Sequence, residues 1–226
     1  MNQPSNQTSY FLFLLSFLLI GCSYNTSPPD PAGPEYVEHI KDYRQKKNQE
    51  FRDTTTSPFS NADIKHFDKL KYYDVKKDFV VWAQFERIEP GEPFVMPTTG
   101  SKTPYYIRYG KLRFEINGKT EQLTVYRNIG HEETEQFEDY LFVPFKDKTN
   151  GETTYSGGRY LDLHLPLYNG QLVKLDFNKA YNPFCVYNFD EYDCPIPPEA
   201  NHLEVSIKAG EKMYDKPDIT QSVVNQ

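Results

Sequence analysis

The dipeptide Asn117-Gly118 constrains the fold of this chain more tightly than any other feature. In Gly110–Tyr126 (GKLRFEINGKTEQLTVY), Leu112, Phe114 and Ile116 alternate with Lys111, Arg113 and Glu115. Alternation at a period of two marks a half-buried strand. Asn-Gly then supplies the two positive-φ residues of a tight hairpin turn. Leu123 and Val125 return on the same face. The register of one antiparallel pair is therefore set by local chemistry, and the fold must contain a sheet with an apolar face.

Further strands fit Asp78–Ile88, Tyr140–Phe145, Arg159–Leu165, Leu172–Phe177 and Leu203–Ile207. In the first of these, Phe79, Val81, Ala83 and Phe85 share one face. Glu89–Pro104, with four prolines, reads as a loop. Eighteen Tyr and 16 Phe give an aromatic load of the kind pleated surfaces carry. Two segments have helical spacing. Glu35–Asp53 places Tyr36, Val37, Ile40, Tyr43 and Lys47 on one stripe, extended by Phe51. Ser60–Leu70 has a capping start and Ile64, Phe67 and Leu70 inward. No internal repeat is present. The expected class is α+β and mainly β: a strongly bent antiparallel sheet, sandwich or partial barrel, with one or two N-terminal helices.

The N-terminus carries an address. Tyr10–Ile20 is an apolar run too short to span a bilayer with ease but suited to a signal-peptide core. It ends in Leu19-Ile20-Gly21-Cys22, which looks like a bacterial lipobox. Residues 1–21 are thus expected to be a lipoprotein signal peptide, with Cys22 lipidated and the protein held at the cell membrane or outer membrane, facing periplasm or cell surface. Residues 22–34 form a Pro-rich tether, 35–53 the helix, 54–215 a β-rich domain and 216–226 a tail. The net charge of −7, with no long basic run, argues against nucleic-acid binding.

The chemistry-bearing residues crowd into 141–198. Asp147–Arg159 (DKTNGETTYSGGR) has two Gly-containing turns around Thr153, Thr154 and Tyr155. Arg159 follows and has the planar fork that grips carboxylate or phosphate. Asp147, Glu152 and Asp162 are candidate acid, base or orienting groups. A structural reading stands beside this one: Arg159 paired to a buried carboxylate such as Asp176. Asp176, Asn178 and Tyr181 join Arg159 in the best polar cluster of the chain. The loop lacks the Gly-Lys-Ser/Thr ending of a phosphate loop and the carboxylate alternation of a calcium loop. Cys185 and Cys194 are the thiols left once Cys22 is lipidated, and in an exported protein they read most simply as a disulfide. A reduced buried pair and a metal pair remain alternatives. No histidine has ligand spacing, so no metal and no cofactor are expected.

Several segments also resemble a known family. LFVPFKDKTNGETTYSGGRYLDL, LDFNKAYNPFCVYN, CPIPPEANHL and IKAGEK are similar to a bacterial and archaeal family named domain of unknown function 1684. The likeness covers roughly Ser57 to Lys212. It is densest in Thr154–Leu161, Asp176–Pro183 and Cys194–Pro198. The resemblance implies a shared domain and no particular activity. Three functions stay open. The first is a lipid-anchored domain binding a small anionic or carbohydrate-like ligand or a partner protein, through Asp147, Glu152, Tyr155, Arg159, Asp176, Asn178 and Tyr181. The second is an envelope hydrolase using carboxylates of the Gly-rich motif, although no recognisable catalytic set is present. The third is an assembly lipoprotein.

Overall fold

The computed structural model describes residues 28–89, 91–130 and 138–215. The expected signal peptide, the lipidation residue Cys22, the first part of the tether (22–27) and the 216–226 tail lie outside the described residues. The strands are β1 (Val80–Arg87), β2 (Phe94–Val95), β3 (Tyr105–Ile116), β4 (Lys119–Ile129), β5 (Tyr140–Phe145), β6 (Arg159–His164) and β7 (Leu172–Asp176). One α-helix, α1 (Tyr36–Arg52), precedes them. The strands form one antiparallel sheet in the order β6-β5-β4-β3-β1-β7, with β2 added to β3. The sheet curls into a half-barrel.

Asn117 and Gly118 have φ of 50° and 73°, as the two-residue turn requires, and Ile116 faces Lys119 across it. Further up the hairpin the register slips between Arg108 and Gly110, leaving Tyr109 as a bulge. That extra residue reverses the side-chain alternation of β3. Leu112, Phe114 and Ile116 point into the barrel core, whereas Tyr106 joins an aromatic layer on the opposite face. Gly110 follows the bulge because β1 crosses close there: a Cβ would lie 2.3 Å from the Phe85 ring. The inner core also takes Ala83 and Phe85 from β1, Leu123 and Val125 from β4, Leu141, Val143 and Phe145 from β5, and Val173 and Leu175 from β7.

Three expectations are corrected. The helix expected over Ser60–Leu70 is only a 3-10 turn at Ile64–His66. Phe67 is extended there, and Asn48 Oδ1 takes the Leu70 N–H at 2.8 Å, so the chain leaves helical geometry to pack Phe67 and Leu70 against Phe51, Phe59 and Tyr187. The loop expected over 89–104 contains the short β2. Finally, Leu203–Ile207 alternates as a strand does but is not a member of the sheet. Leu203, Val205, Ile207 and Ala209 plug the core of the half-barrel; Leu203 and Val205 bond the backbone of Lys146 and Lys148, whereas the backbone groups of Ile207 and the Ala209 carbonyl are met by side chains.

Among the described residues no helix is long and apolar enough to cross a membrane. Cys185 and Cys194 form a disulfide, with Cα atoms 6.0 Å apart.

Candidate functional site

Strand β6 carries polar residues on both faces, and its period of two separates them. Arg159 points inward and is 0% exposed. One guanidinium nitrogen donates to the carbonyls of Ala209 and Glu211. The other donates to Asp147 Oδ2 at 2.8 Å and to the Ile207 carbonyl at 2.9 Å. Asp147 completes the clamp, its other oxygen accepting the Thr149 N–H at 2.8 Å and the Ile207 N–H at 3.0 Å. Together the pair meets the Ile207 N–H and the carbonyls of Ile207, Ala209 and Glu211. The expected role of Arg159 as a ligand grip is thereby corrected, since its fork is committed to the chain's own carbonyls. The alternative pairing with Asp176 is also replaced, because the partner is Asp147.

Two other buried amides work the same way. Asn178 exchanges two hydrogen bonds with the backbone of Lys76, at 3.0 and 2.8 Å. Asn201 accepts the Thr124 N–H at 2.8 Å and donates to the carbonyls of Thr124 and Pro144 at 2.9 and 2.7 Å. It thus bridges β4 and β5 where they diverge, the two strands pairing only at Tyr126 and Phe142. Glu152 is exposed and Tyr155 half-buried, its ring lying where a Cβ on Gly157 would be. Within the central loop, then, Asp147 and Arg159 are committed to the fold.

The outer face of β6 is different. Asp162 points away from the core and accepts hydrogen bonds from the Tyr140 hydroxyl at 2.7 Å and the Tyr181 hydroxyl at 2.6 Å. Burial, with the Asp162 charge adding to it, pushes the Tyr140 phenol well above its ordinary range. Burial first, then Tyr140 and Asp162, does the same at Tyr181. Both therefore stay protonated donors near neutral pH. Asp162 and Tyr181 sit where three clefts meet.

The clefts exist because the barrel does not close. Strands β6 and β7 are the two ends of the sheet. Past the end of β7 the chain reaches β6 in one bridge, Tyr160 and Tyr181 exchanging bonds of 2.9 and 3.1 Å. Above that bridge the strands diverge and leave a seam of about 370 Å³. His164 and Asp162 of β6 line it from one side, Lys174 and Asp176 of β7 from the other, and Tyr43 of α1 roofs it. Asp176 is held there by the Tyr36 hydroxyl at 2.6 Å and the Asn178 N–H at 3.1 Å. Its second oxygen is buried and unpartnered among the described residues.

On the other side of Asp162 lies an aromatic cleft of about 410 Å³. Tyr106, Tyr140, Phe142 and Tyr160 rise from the sheet, while Phe184 and Tyr192 come from the loop that the Cys185–Cys194 disulfide ties down. Both volumes fall in the range of about 300–1,000 Å³ typical of ligand pockets. The third cleft, about 120 Å³, leads from Tyr181 to Glu211. Glu211 is buried, accepting from Asn182 N–H and Tyr187 O–H at 2.8 and 2.7 Å, and burial raises its pKa.

Among the expected residues, the seam gathers Asp176 and Tyr181 and excludes Arg159. Asp162, which the sequence marks only as an auxiliary carboxylate, is the hub. The tyrosines Tyr43, Tyr140 and Tyr160 and the lysines Lys174 and Lys179 give no joint signal in the sequence, since they come from elements far apart along the chain. No group of three or more His, Cys, Asp or Glu arranged to hold a metal occurs among the described residues.

By its architecture the protein is a curled antiparallel half-barrel with one helix over its open seam and a C-terminal plug in its core. The chain belongs to the family described as protein of unknown function DUF1684, whose model matches residues 65–212. It is also similar to the solution NMR structure of an uncharacterised protein of Haloarcula marismortui. That likeness has 35% identity and a TM-score of 0.61, and covers 79% of this chain and 94% of that one. No curated protein matches.

Proposed function

We propose that the protein is a lipid-anchored, non-catalytic binding domain that holds a carbohydrate-like ligand in the cleft around Asp162. The observation that carries this reading is the junction itself. A carboxylate fixed by two phenolic donors stands at the edge of a cleft walled by Tyr106, Tyr140, Phe142, Tyr160, Phe184 and Tyr192. Aromatic faces offer a flat apolar surface beside a polar tip, which suits a ring that is apolar on one face and carries hydroxyls at its rim. A carboxylate at this position accepts hydroxyl hydrogens through charge-assisted hydrogen bonds. Among the candidate carboxylates, Asp147 bonds Arg159 and Glu152 is exposed, while Asp162 and Asp176 both line the seam but are each held by phenols of the chain itself.

Calorimetric titration of the purified full-length protein with neutral and charged oligosaccharides tests this. Wild type binds, and Asp162→Asn weakens binding about tenfold or more, the worth of a charge-assisted hydrogen bond. Unchanged affinity in Asp162→Asn would place the ligand elsewhere.

The anchor rests on Tyr10–Ile20 followed by Gly21-Cys22, and the disulfide suits an oxidising compartment. Cys22→Ser should abolish lipid labelling and move the protein from the membrane fraction to the soluble one. Labelling retained in that variant would exclude Cys22 as the acceptor.

A further inference from the structure

Taking the cleft as a saccharide site, we infer that its ligand is an acidic saccharide, whose carboxylate lies in the β6–β7 seam between Lys174 and Lys179. The observation is an imbalance in how the seam's charges are already used. Asp162 is engaged by two phenols, and one oxygen of Asp176 by a phenol and a backbone N–H. His164 has its own partner, Asp139, at 3.3 Å. Lys47, at the entrance of the small third cleft, is bonded to Glu50 at 2.8 Å.

The two seam lysines differ from all of these. Among the described residues neither Lys174 nor Lys179 has a carboxylate within ion-pair distance, although both line the same cleft as Asp162 and Asp176. Each ammonium instead stands over a ring of α1: Lys174 is 5.2 Å from the centre of Tyr36 and Lys179 is 5.4 Å from that of Tyr43. Such placement fixes a cation without neutralising it. Two fixed, unneutralised cations at one end of a cleft favour a ligand with negative charge at that end.

The carboxylates set the orientation. Carboxylate oxygens accept hydrogen bonds, so hydroxyls and not the anionic group lie beside Asp162 and Asp176. The ring then rests on the aromatic side of Asp162, and the anionic substituent crosses to the lysines. Aromatic cleft and seam share the walls Asp162 and Tyr181, so one ligand can occupy both. A hexuronate has this pattern of hydroxyls on the ring and a carboxylate at one end.

The test titrates full-length protein with a galacturonate trisaccharide and with the matched neutral galactose trisaccharide. Both are run on wild type and on a Lys174→Gln/Lys179→Gln double variant. The two lysines are exposed and bury no ion pair, so the variant should keep its fold, checked by thermal melting. The inference expects wild type to bind the acidic sugar at least tenfold tighter at low salt, with the gap narrowing as salt is added. In the double variant the preference disappears while affinity for the neutral sugar is retained. Equal binding of both sugars by wild type overturns the inference and leaves the saccharide site standing, as does a preference that persists in the double variant. Binding of neither sugar overturns the saccharide site and the inference together.

Discussion

Arg159 and Asp162 lie three residues apart on one strand and face opposite sides of it. Arg159 is sealed in the core with four hydrogen bonds to a carboxylate and three carbonyls. Asp162 stands at the open seam, held by two phenols and bordered by empty volume on three sides. Both sites are polar, and both fall in the segment richest in Gly, Thr, Tyr and Asp. The difference is what the backbone needs. On the inner face a C-terminal plug enters outside the sheet, and the carbonyls of Ile207, Ala209 and Glu211 must be met by a side chain or cost free energy. On the outer face the two end strands separate, and the polar groups there are not used up by the backbone. A dense polar motif therefore marks two distinct jobs, and burial tells them apart.

The comparison breaks most readily at Arg159. Arg159→Ala leaves Asp147 charged and buried with three carbonyls unmet, and should lower stability by about 3–5 kcal/mol in chemical denaturation. A folded variant of near wild-type stability would refute the clamp. Reducing the Cys185–Cys194 bridge frees a short loop and should cost up to about 3 kcal/mol by the chain-entropy model. It should also loosen the outer wall of the aromatic cleft, seen as faster amide exchange at Phe184–Tyr192 with β3 and β4 still protected. Asn201→Ala removes three bonds to buried backbone groups and should cost about 1–3 kcal/mol, read from the same denaturation curves.

A pH effect sharpens the contrast further. Burial raises the Glu211 pKa in the folded state, so the folded protein holds this proton more tightly than the unfolded chain. Stability from this group is therefore present at low pH and is lost as pH rises from the ordinary glutamate range through the raised folded value. Glu211→Gln should flatten that fall in stability-versus-pH curves. An unchanged slope would assign it to other groups. At the small end, Asp162→Asn keeps an acceptor for the two phenols at an exposed position and should lower stability by about 1 kcal/mol or less.

Much of the sheet is legible in the amino-acid sequence. Alternation locates β1, β6 and β7, a short apolar run locates β5, and Asn117-Gly118 sets the β3–β4 register, because each rests on local chemistry. The stripe through Tyr36, Ile40 and Phe51 locates α1 for the same reason. The Tyr109 bulge leaves no signal, since a single extra residue changes no composition. Leu203–Ile207 misleads because alternation reports burial of one face and not membership of a sheet. Its partners are the backbone of Lys146 and Lys148 and the side chains of Arg159 and Asp147, which lie far away in sequence. The seam is least legible. It joins Tyr43, Asp162, Lys174 and Tyr181 from a helix, two strands and a turn, and its geometry follows from where a curled sheet fails to close.

The central claim is that the outer face of β6, and not the Gly-rich loop before it, meets the ligand. Amide chemical-shift mapping of the full-length protein during titration with a galacturonate oligosaccharide tests this most directly. The account predicts shifts concentrated at Asp162, His164, Lys174, Tyr181 and Tyr192, with the Asp147–Gly158 loop unmoved. Shifts centred on Asp147–Gly158, with Asp162 and Tyr181 silent, would contradict it.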